Sequence, residues 1–75
     1  MDDDVQRGLE FLKEHRNVAF AVRAIEEALD PPLPPNTLAS AFNQLVKAGK
    51  GGLERADATY LGTKRIYRGF KYVGD

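Results

Sequence analysis

The sequence contains no cysteine, a single serine and a single histidine. Without cysteine the chain can form no disulfide and offers no thiolate to a metal ion. His15 has no second histidine with which to complete an ordinary zinc site. No general base stands at a suitable interval from Ser40, and no glycine-rich phosphate loop is present. We therefore expect no enzyme, no cofactor and no metal site.

Long hydrophobic stretches are also missing. The longest apolar run extends from Val18 to Val22, far short of the about 20 residues that span a bilayer. No signal-peptide pattern follows Met1. A chain of 75 residues buries only about 60% of its unfolded surface, which is enough for one modest core. These features predict a single soluble, cytoplasmic domain over residues 1–75 that has no membrane partner.

The formal net charge is zero, but the two halves of the chain differ. Residues 1–35 contain four basic and eight acidic side chains, a charge of −4. Residues 36–75 contain seven basic and three acidic side chains, a charge of +4. Overall neutrality argues against a nucleic-acid partner. The asymmetry nevertheless allows one positive surface on a neutral protein.

The spacing of Val5, Leu9 and Leu12 predicts a first helix that ends near residues 15–16. The three aspartates at positions 2–4 lie where the helix dipole favours negative charge. We interpret them as N-terminal capping charge; the alternative is a metal site.

A second helix is predicted from about Val22 to Leu29. It stops before Pro31, because proline disfavours a helical conformation in the preceding residue. Its predicted inward side chains are Val22, Ile25, Ala28 and Leu29. The segment Asp30–Pro35, with sequence DPPLPP, predicts a stiff connector.

The third helix can begin at Pro34 or Pro35, since proline is tolerated in a first helical turn. Gly49 is well placed to end it. One side of this helix is apolar and comprises Leu38, Phe42, Leu45, Val46 and Gly49. Another side is a polar stripe that comprises Asn36, Ser40, Asn43, Lys47 and Lys50.

The last third of the chain is typical of β-structure. Two strands, about Leu53–Thr59 and Arg65–Val73, are predicted to form a hairpin that turns at Gly62-Thr63. Gly69 is a candidate β-bulge. A hairpin is unstable alone, so we expect it to pack against the helices.

This order of elements, and several local patterns, carry a resemblance to a known family. The patterns are Leu9-Glu10-Phe11-Leu12, the second-helix positions Phe20, Val22, Ile25 and Leu29, and the segment Pro35-Asn36-Thr37-Leu38 followed by Phe42 and Leu45-Val46-Lys47-Ala48-Gly49. The chain resembles the winged helix-turn-helix domains of small bacterial and archaeal transcription regulators. The resemblance implies an α+β winged helix, in which a three-helix helix-turn-helix core precedes a two-stranded β-hairpin wing.

The resemblance also implies that the third helix lies in the major groove of double-stranded DNA and that the hairpin contacts phosphates or the minor groove. The implied residues of the recognition helix are Asn36, Thr37, Ser40, Asn43, Gln44 and Lys47. Those of the wing are Lys64, Arg65, Arg68 and Lys71. One departure from the family is Ala21, which stands where serine or threonine usually caps the second helix.

The chemistry of these side chains suits DNA, because Asn, Gln and Ser can bond to base edges while Lys and Arg neutralise phosphates. The alternative function is a winged-helix protein–protein interaction module within a larger complex, with a protein partner or a second copy of the chain in place of DNA. The small number of charges on the third helix favours that alternative, whereas the +4 charge of the second half favours DNA. An ordinary solvated helix face and a charge-protected hairpin would show the same pattern.

Overall fold

The computed structural model describes residues 3–59 and 65–74. The elements along these residues are α1 (Asp3–Glu14), β1 (Phe20–Ala21), α2 (Val22–Ala28), α3 (Ala39–Ala48), β2 (Leu53–Thr59) and β3 (Ile66–Tyr72). Within this part of the chain the protein is an α+β fold of three helices and one three-stranded antiparallel sheet.

Helix α1 has acidic residues at its start and an apolar side that faces the core. Asp3 and Asp4 lie in the first turn, where the partial positive charge of the helix end favours carboxylates. Its buried residues are Val5, Gly8, Leu9 and Leu12, so the predicted spacing is confirmed. The helix ends at Glu14, next to the predicted end.

Gly8 of α1 lies against two core residues, Leu38 just before α3 and Phe42 within it. A Cβ atom at this position would lie 2.8 Å from Leu38 Cδ1 and 2.8 Å from Phe42 Cζ. Glycine inside a helix lowers the stability of the helix by about 1 kcal/mol relative to alanine. Here the missing side chain allows two core residues to pack directly on the backbone of α1.

Helix α2 is short and begins without a side-chain cap, as alanine at position 21 requires. Ile25 is fully buried, but Ala28 is exposed, so its predicted inward position was wrong. Glu26 is buried instead, with 1% of its surface exposed. The inward positions of the helix therefore follow the spacing of Val22, Ile25, Glu26 and Leu29.

Helix α3 begins at Ala39, later than the predicted start at Pro34 or Pro35. The preceding residues form a turn in which the Thr37 hydroxyl donates to the Pro34 carbonyl (2.6 Å). Asn36 has a φ of +66° in this turn, which interrupts any helix. Gly49 ends α3 in the left-handed conformation (φ +69°), as predicted.

The buried carboxylate of Glu26 joins α2 to the start of α3. Its Oε2 accepts hydrogen bonds from the backbone amides of Thr37 (2.7 Å) and Leu38 (3.1 Å). The first amides of a helix have no partner within the helix. A side chain from a different helix therefore supplies the acceptor that a local serine or aspartate cap would otherwise provide.

The sheet has the strand order β1-β3-β2, so the predicted two-stranded hairpin gains a third strand from residues 20–21. The pairing of β2 with β3 runs without interruption from Leu53 with Tyr72 to Thr59 with Ile66. The predicted bulge at Gly69 is therefore wrong. Gly69 is needed because a Cβ atom there would lie 2.4 Å from the Phe20 carbonyl oxygen of the neighbouring strand. The predicted turn at Gly62-Thr63 lies outside the described residues.

The core lies between the helices and one face of the sheet. Its residues with no exposed surface are Leu12, Ile25, Leu38 and Phe42. The rings of Phe42 and Phe70 meet edge to face at 5.4 Å, which links α3 to β3. In residues 3–59 and 65–74, no helix is both long enough and apolar enough to span a bilayer.

Candidate functional site

Two of the residues assigned to the recognition helix, Asn36 and Thr37, precede α3 and lie in the turn before it. Asn36 is exposed there. Thr37 is half-buried, and its hydroxyl donates to Pro34 while its amide donates to Glu26. The main role of Thr37 in this structure is therefore to hold the turn.

The other four predicted residues of this group lie on α3 and form one continuous polar side. They are Ser40, Asn43, Gln44 and Lys47. All are exposed except Asn43, which is half-buried. Lys50 lies beyond the end of the helix at Ala48, so the polar stripe is shorter than predicted.

Asn43 faces a cleft of about 370 Å³ between α3 and the hairpin. Ala39 and Asn43 form the α3 side of this cleft, and Arg55, Asp57 and Arg68 are on the hairpin side. Val22, Ala56, Gly69 and Phe70 complete the lining. Of the polar side of α3, Asn43 thus borders the same cleft as the inner face of the hairpin.

The alternation of the strands explains why these charges face α3. Phe70 and Tyr72 are buried in the core, and successive residues of a strand point to opposite faces. Arg68 is two residues before Phe70 and therefore lies on the same face. Arg55 is directly opposite Phe70 in the register, and Asp57 is opposite Arg68.

The cleft carries more positive than negative charge. Arg55 and Arg68 are exposed, and neither forms an ion pair with any residue in the described ranges. The single carboxylate among the lining residues is Asp57. Arg55 was not among the predicted site residues, because a single arginine between Glu54 and Ala56 resembles any charged residue on an edge strand. Its cross-strand neighbour Phe70 was the only available signal.

The predicted wing residues do not share one surface. Lys71 alternates with Phe70 and Tyr72, so it lies on the face of the hairpin away from α3, where its Nζ is 3.8 Å from Glu54 Oε1. Arg65 is exposed immediately before β3. Lys64 lies outside the described residues. Of the three wing residues within the described ranges, only Arg68 lines the cleft.

The aromatic residues of the hairpin are divided in the same way. Phe70 and Tyr72 are buried in the core, which confirms the expectation that the hairpin packs against the helices. The centroid of the Tyr72 ring also lies 5.8 Å from Lys13 Nζ and 5.5 Å from the guanidinium carbon of Arg16. Tyr67 is 36% exposed on the opposite face of the hairpin.

A second cleft of about 220 Å³ lies between α1 and the end of α2. Its charged lining residues are Arg7, Glu10, Glu14 and Asp30. It shares no lining residue with the cleft beside α3. The acidic half of the chain therefore contributes to a surface that is separate from the two cleft arginines.

Within the described ranges, neither the lone histidine nor the acidic residues form a recognisable ligand set. The His15 ring packs 4.7 Å from the Phe11 ring and 5.2 Å from the Phe20 ring. Across residues 3–59 and 65–74, no three His, Asp or Glu side chains are placed so that they could hold a metal ion together.

Comparison with models of protein families, with curated protein sequences and with solved structures found no match to this chain.

Proposed function

We propose that the protein is a DNA-binding winged helix, with the function of a small transcriptional or mobile-element regulator. The layout of three helices followed by a hairpin is compatible with this fold, and β1 adds a third strand to the wing. In this proposal α3 is the recognition helix. The polar side of α3 then enters the major groove of double-stranded DNA, and the hairpin contacts the phosphate backbone.

The observation that carries the proposal is the cleft where α3 and the hairpin meet. Two arginines without an ion-pair partner in the described ranges, Arg55 and Arg68, stand across from the polar side of α3. A phosphate backbone bordering the major groove would pass through such a cleft while base edges meet the helix. Ten residues make α3 about 15 Å long, which suits a groove about 12 Å wide.

Asn43 and the two arginines line the cleft, whereas Ser40, Gln44 and Lys47 lie on the same side of α3 outside its lining. Together these side chains have the chemistry that this division of roles needs. Ser40, Asn43 and Gln44 carry hydroxyl and amide groups, which can bond to base edges. Arg55, Arg68 and Lys47 supply the positive charge that dominates affinity for DNA. Because only a few cations are available, we expect modest affinity that falls steeply as salt is added.

The proposed activity is binding without catalysis. The single serine lies on α3 and the single histidine follows α1, packed against Phe11 and Phe20. A serine nucleophile needs a base within hydrogen-bonding reach. These two residues stand on different elements and have no such arrangement in the described structure.

The salt dependence of DNA binding tests the proposal. Binding to a fluorescent duplex of mixed sequence is measured by anisotropy at several salt concentrations for Arg55→Ala, Arg68→Ala and Lys71→Ala. Each arginine substitution should weaken binding to all sequences and lower the slope of log K against log salt by about one unit. Lys71→Ala removes the same charge from the opposite face of the hairpin, so it is the matched control and should leave the slope unchanged.

Two results would contradict the proposal. If Lys71→Ala weakens binding as much as Arg68→Ala, the duplex responds to net charge and not to the cleft. If the native protein does not bind the duplex even at low salt, α3 has another partner.

A second candidate is a protein–protein interaction module that uses the same side of α3. It is favoured by the lack of charge on α3 before Lys47 and by the exposure of Ser40 and Gln44. Under this alternative, a duplex added at low salt would leave the NMR signals of α3 unshifted. Shifts confined to α3 and the hairpin would instead support DNA binding.

A further inference from the structure

Strand β2 lies at one edge of the sheet, and the hydrogen bonds of its neighbours show how its backbone is oriented. The amide of Val73 donates to the Gly52 carbonyl (2.8 Å), so these two residues form a hydrogen-bonded pair. They come immediately before the pair of Leu53 with Tyr72 in the hairpin ladder. Bonded and non-bonded pairs alternate along an antiparallel ladder. Ala56 therefore exchanges hydrogen bonds with Gly69, whereas the amide and carbonyl groups of Arg55 and Asp57 point away from β3.

The other side of β3 agrees with this alternation. The amide of Asn17 donates to the Tyr72 carbonyl (2.8 Å), so that carbonyl points towards β1 and not towards β2. The seven residues of β2 extend about 23 Å. In the described ranges no backbone group outside the hairpin bonds to Arg55 or Asp57. The outer edge of β2 is thus open to a further strand.

The charged side chains of β2 are complementary to those of a second copy of the same strand. When β2 is paired antiparallel with an identical strand about Ala56, Arg55 of one copy stands opposite Asp57 of the other, and the reverse pair forms as well. Because the backbone groups of both residues point outward, these are hydrogen-bonded pairs with Cα atoms about 5.5 Å apart. Opposite charges in such pairs stabilise a sheet, while like charges destabilise it.

The neighbouring positions are compatible with the same register. Glu54 would face the partner's Ala58, and Ala56 would face the partner's Ala56, so no like charges and no bulky side chains meet. Asp57 already lies opposite Arg68 within its own hairpin. The added strand would place Asp57 between two arginines. Charges on an edge strand usually discourage pairing with other strands, but this arrangement matches a second copy.

We propose that β2 pairs antiparallel with β2 of a second copy, about a two-fold axis at Ala56, to form a six-stranded sheet in which Arg55 of each copy faces the partner's Asp57. The axis is perpendicular to the sheet, so the α3 helices of both copies lie on the same face. An edge contact of this length buries little surface, so the dimer is weak and reversible. The pairing does not depend on DNA binding, and its test uses no nucleic acid.

Charge exchange tests the pairing. Sedimentation velocity at low salt and high protein concentration is used to compare native protein, Arg55→Asp, Asp57→Arg and the double variant with both substitutions. Each single variant places two like-charged pairs across the axis, so its self-association should weaken by about tenfold or more. The double variant restores opposite charges across the axis, so it should associate more strongly than either single variant, even though it places a positive charge opposite Arg68 within each hairpin. An equimolar mixture of the two single variants should also associate, since each copy then meets the opposite charge.

Amide hydrogen exchange locates the contact. At high protein concentration the amides of Arg55 and Asp57 should exchange more slowly than at low concentration. The Ala56 amide, which bonds within the hairpin, should not depend on concentration and is the internal control. A native protein that remains monomeric, single variants that associate as the native does, or a mixture that stays monomeric would overturn the proposal. Association without concentration-dependent exchange at Arg55 and Asp57 would also overturn it, because it would place the dimer contact elsewhere.

Discussion

Replacing Glu26 with alanine tests whether one buried carboxylate holds the start of α3 in place. The Oε2 atom of Glu26 accepts from two backbone amides, those of Thr37 and Leu38, and the side chain is 1% exposed. Alanine removes this acceptor and leaves the rest of α2 unchanged. The two amides then have no partner at the point where the connector becomes helix.

The expected loss of stability follows from the burial of these two amides. A buried donor left without an acceptor costs about 1–3 kcal/mol. The bond to Leu38 is buried and the bond to Thr37 is only partly buried, so we assign about 2 kcal/mol to the first and about 1 kcal/mol to the second. Glu26→Ala should therefore lower the free energy of unfolding by about 3 kcal/mol. A domain of this length has only about 4–11 kcal/mol in total, so the loss is large.

Two further substitutions make the test specific. Glu26→Gln keeps an acceptor but loses its charge, so we expect a loss of about 1 kcal/mol. Glu27→Ala is the matched control, because Glu27 is the next residue of the same helix and forms only an exposed ion pair with Arg23 (3.7 Å). Its loss should be within about 0.5 kcal/mol.

Urea unfolding followed by circular dichroism measures these free energies, provided that the denaturant slope is unchanged among the variants. Hydrogen exchange gives an independent check, since the amides of Thr37 and Leu38 should exchange faster in Glu26→Ala than in Glu27→Ala. Equal losses of stability in those two variants would refute the role assigned to the buried carboxylate.

Two other predictions concern packing and are measured by the same unfolding experiment. Gly69→Ala should lower the free energy of unfolding by about 3 kcal/mol or more, because the added Cβ meets the Phe20 carbonyl. Gly49→Ala adds only the strain of a positive φ in open space and should lower it by about 1–2 kcal/mol. Equal losses in the two variants would contradict the steric explanation. Phe42→Ala should cost about 3–5 kcal/mol because the ring is fully buried. Leu45→Ala should cost less than Phe42→Ala, since Leu45 is only half-buried, and the reverse order would contradict this placement of the core.

The local features of the fold could be predicted from the sequence because they depend on neighbouring residues. The spacing of Val5, Leu9 and Leu12 identified the buried side of α1, and Gly49 identified the end of α3. The predicted bounds of β2 coincide with the observed strand, Leu53–Thr59. In each case the controlling interactions act within one or two turns or along a single strand.

Errors arose where a distant part of the chain determines the conformation. Pro34 and Pro35 are acceptable starting residues for a helix, yet α3 begins at Ala39, because a turn at Asn36 and the carboxylate of Glu26 organise the preceding segment. The bulge expected at Gly69 was wrong for a similar reason. Its missing side chain accommodates the backbone of β1, a strand that is separated from it by about two thirds of the chain.

The candidate site shows the same division between local pattern and tertiary structure. The polar side of α3 was evident from the spacing of Ser40, Asn43 and Lys47, because helical periodicity alone places them together. The sequence could not show that Arg55 joins Arg68 beside α3 while Lys71 lies on the opposite face. That arrangement depends on the register of β2 with β3 and on which face of the hairpin packs against the helices. The pairing between the strands sets the register, and the burial of Phe70 and Tyr72 sets which face packs inward. The residues adjacent to the arginines determine neither the register nor the buried face.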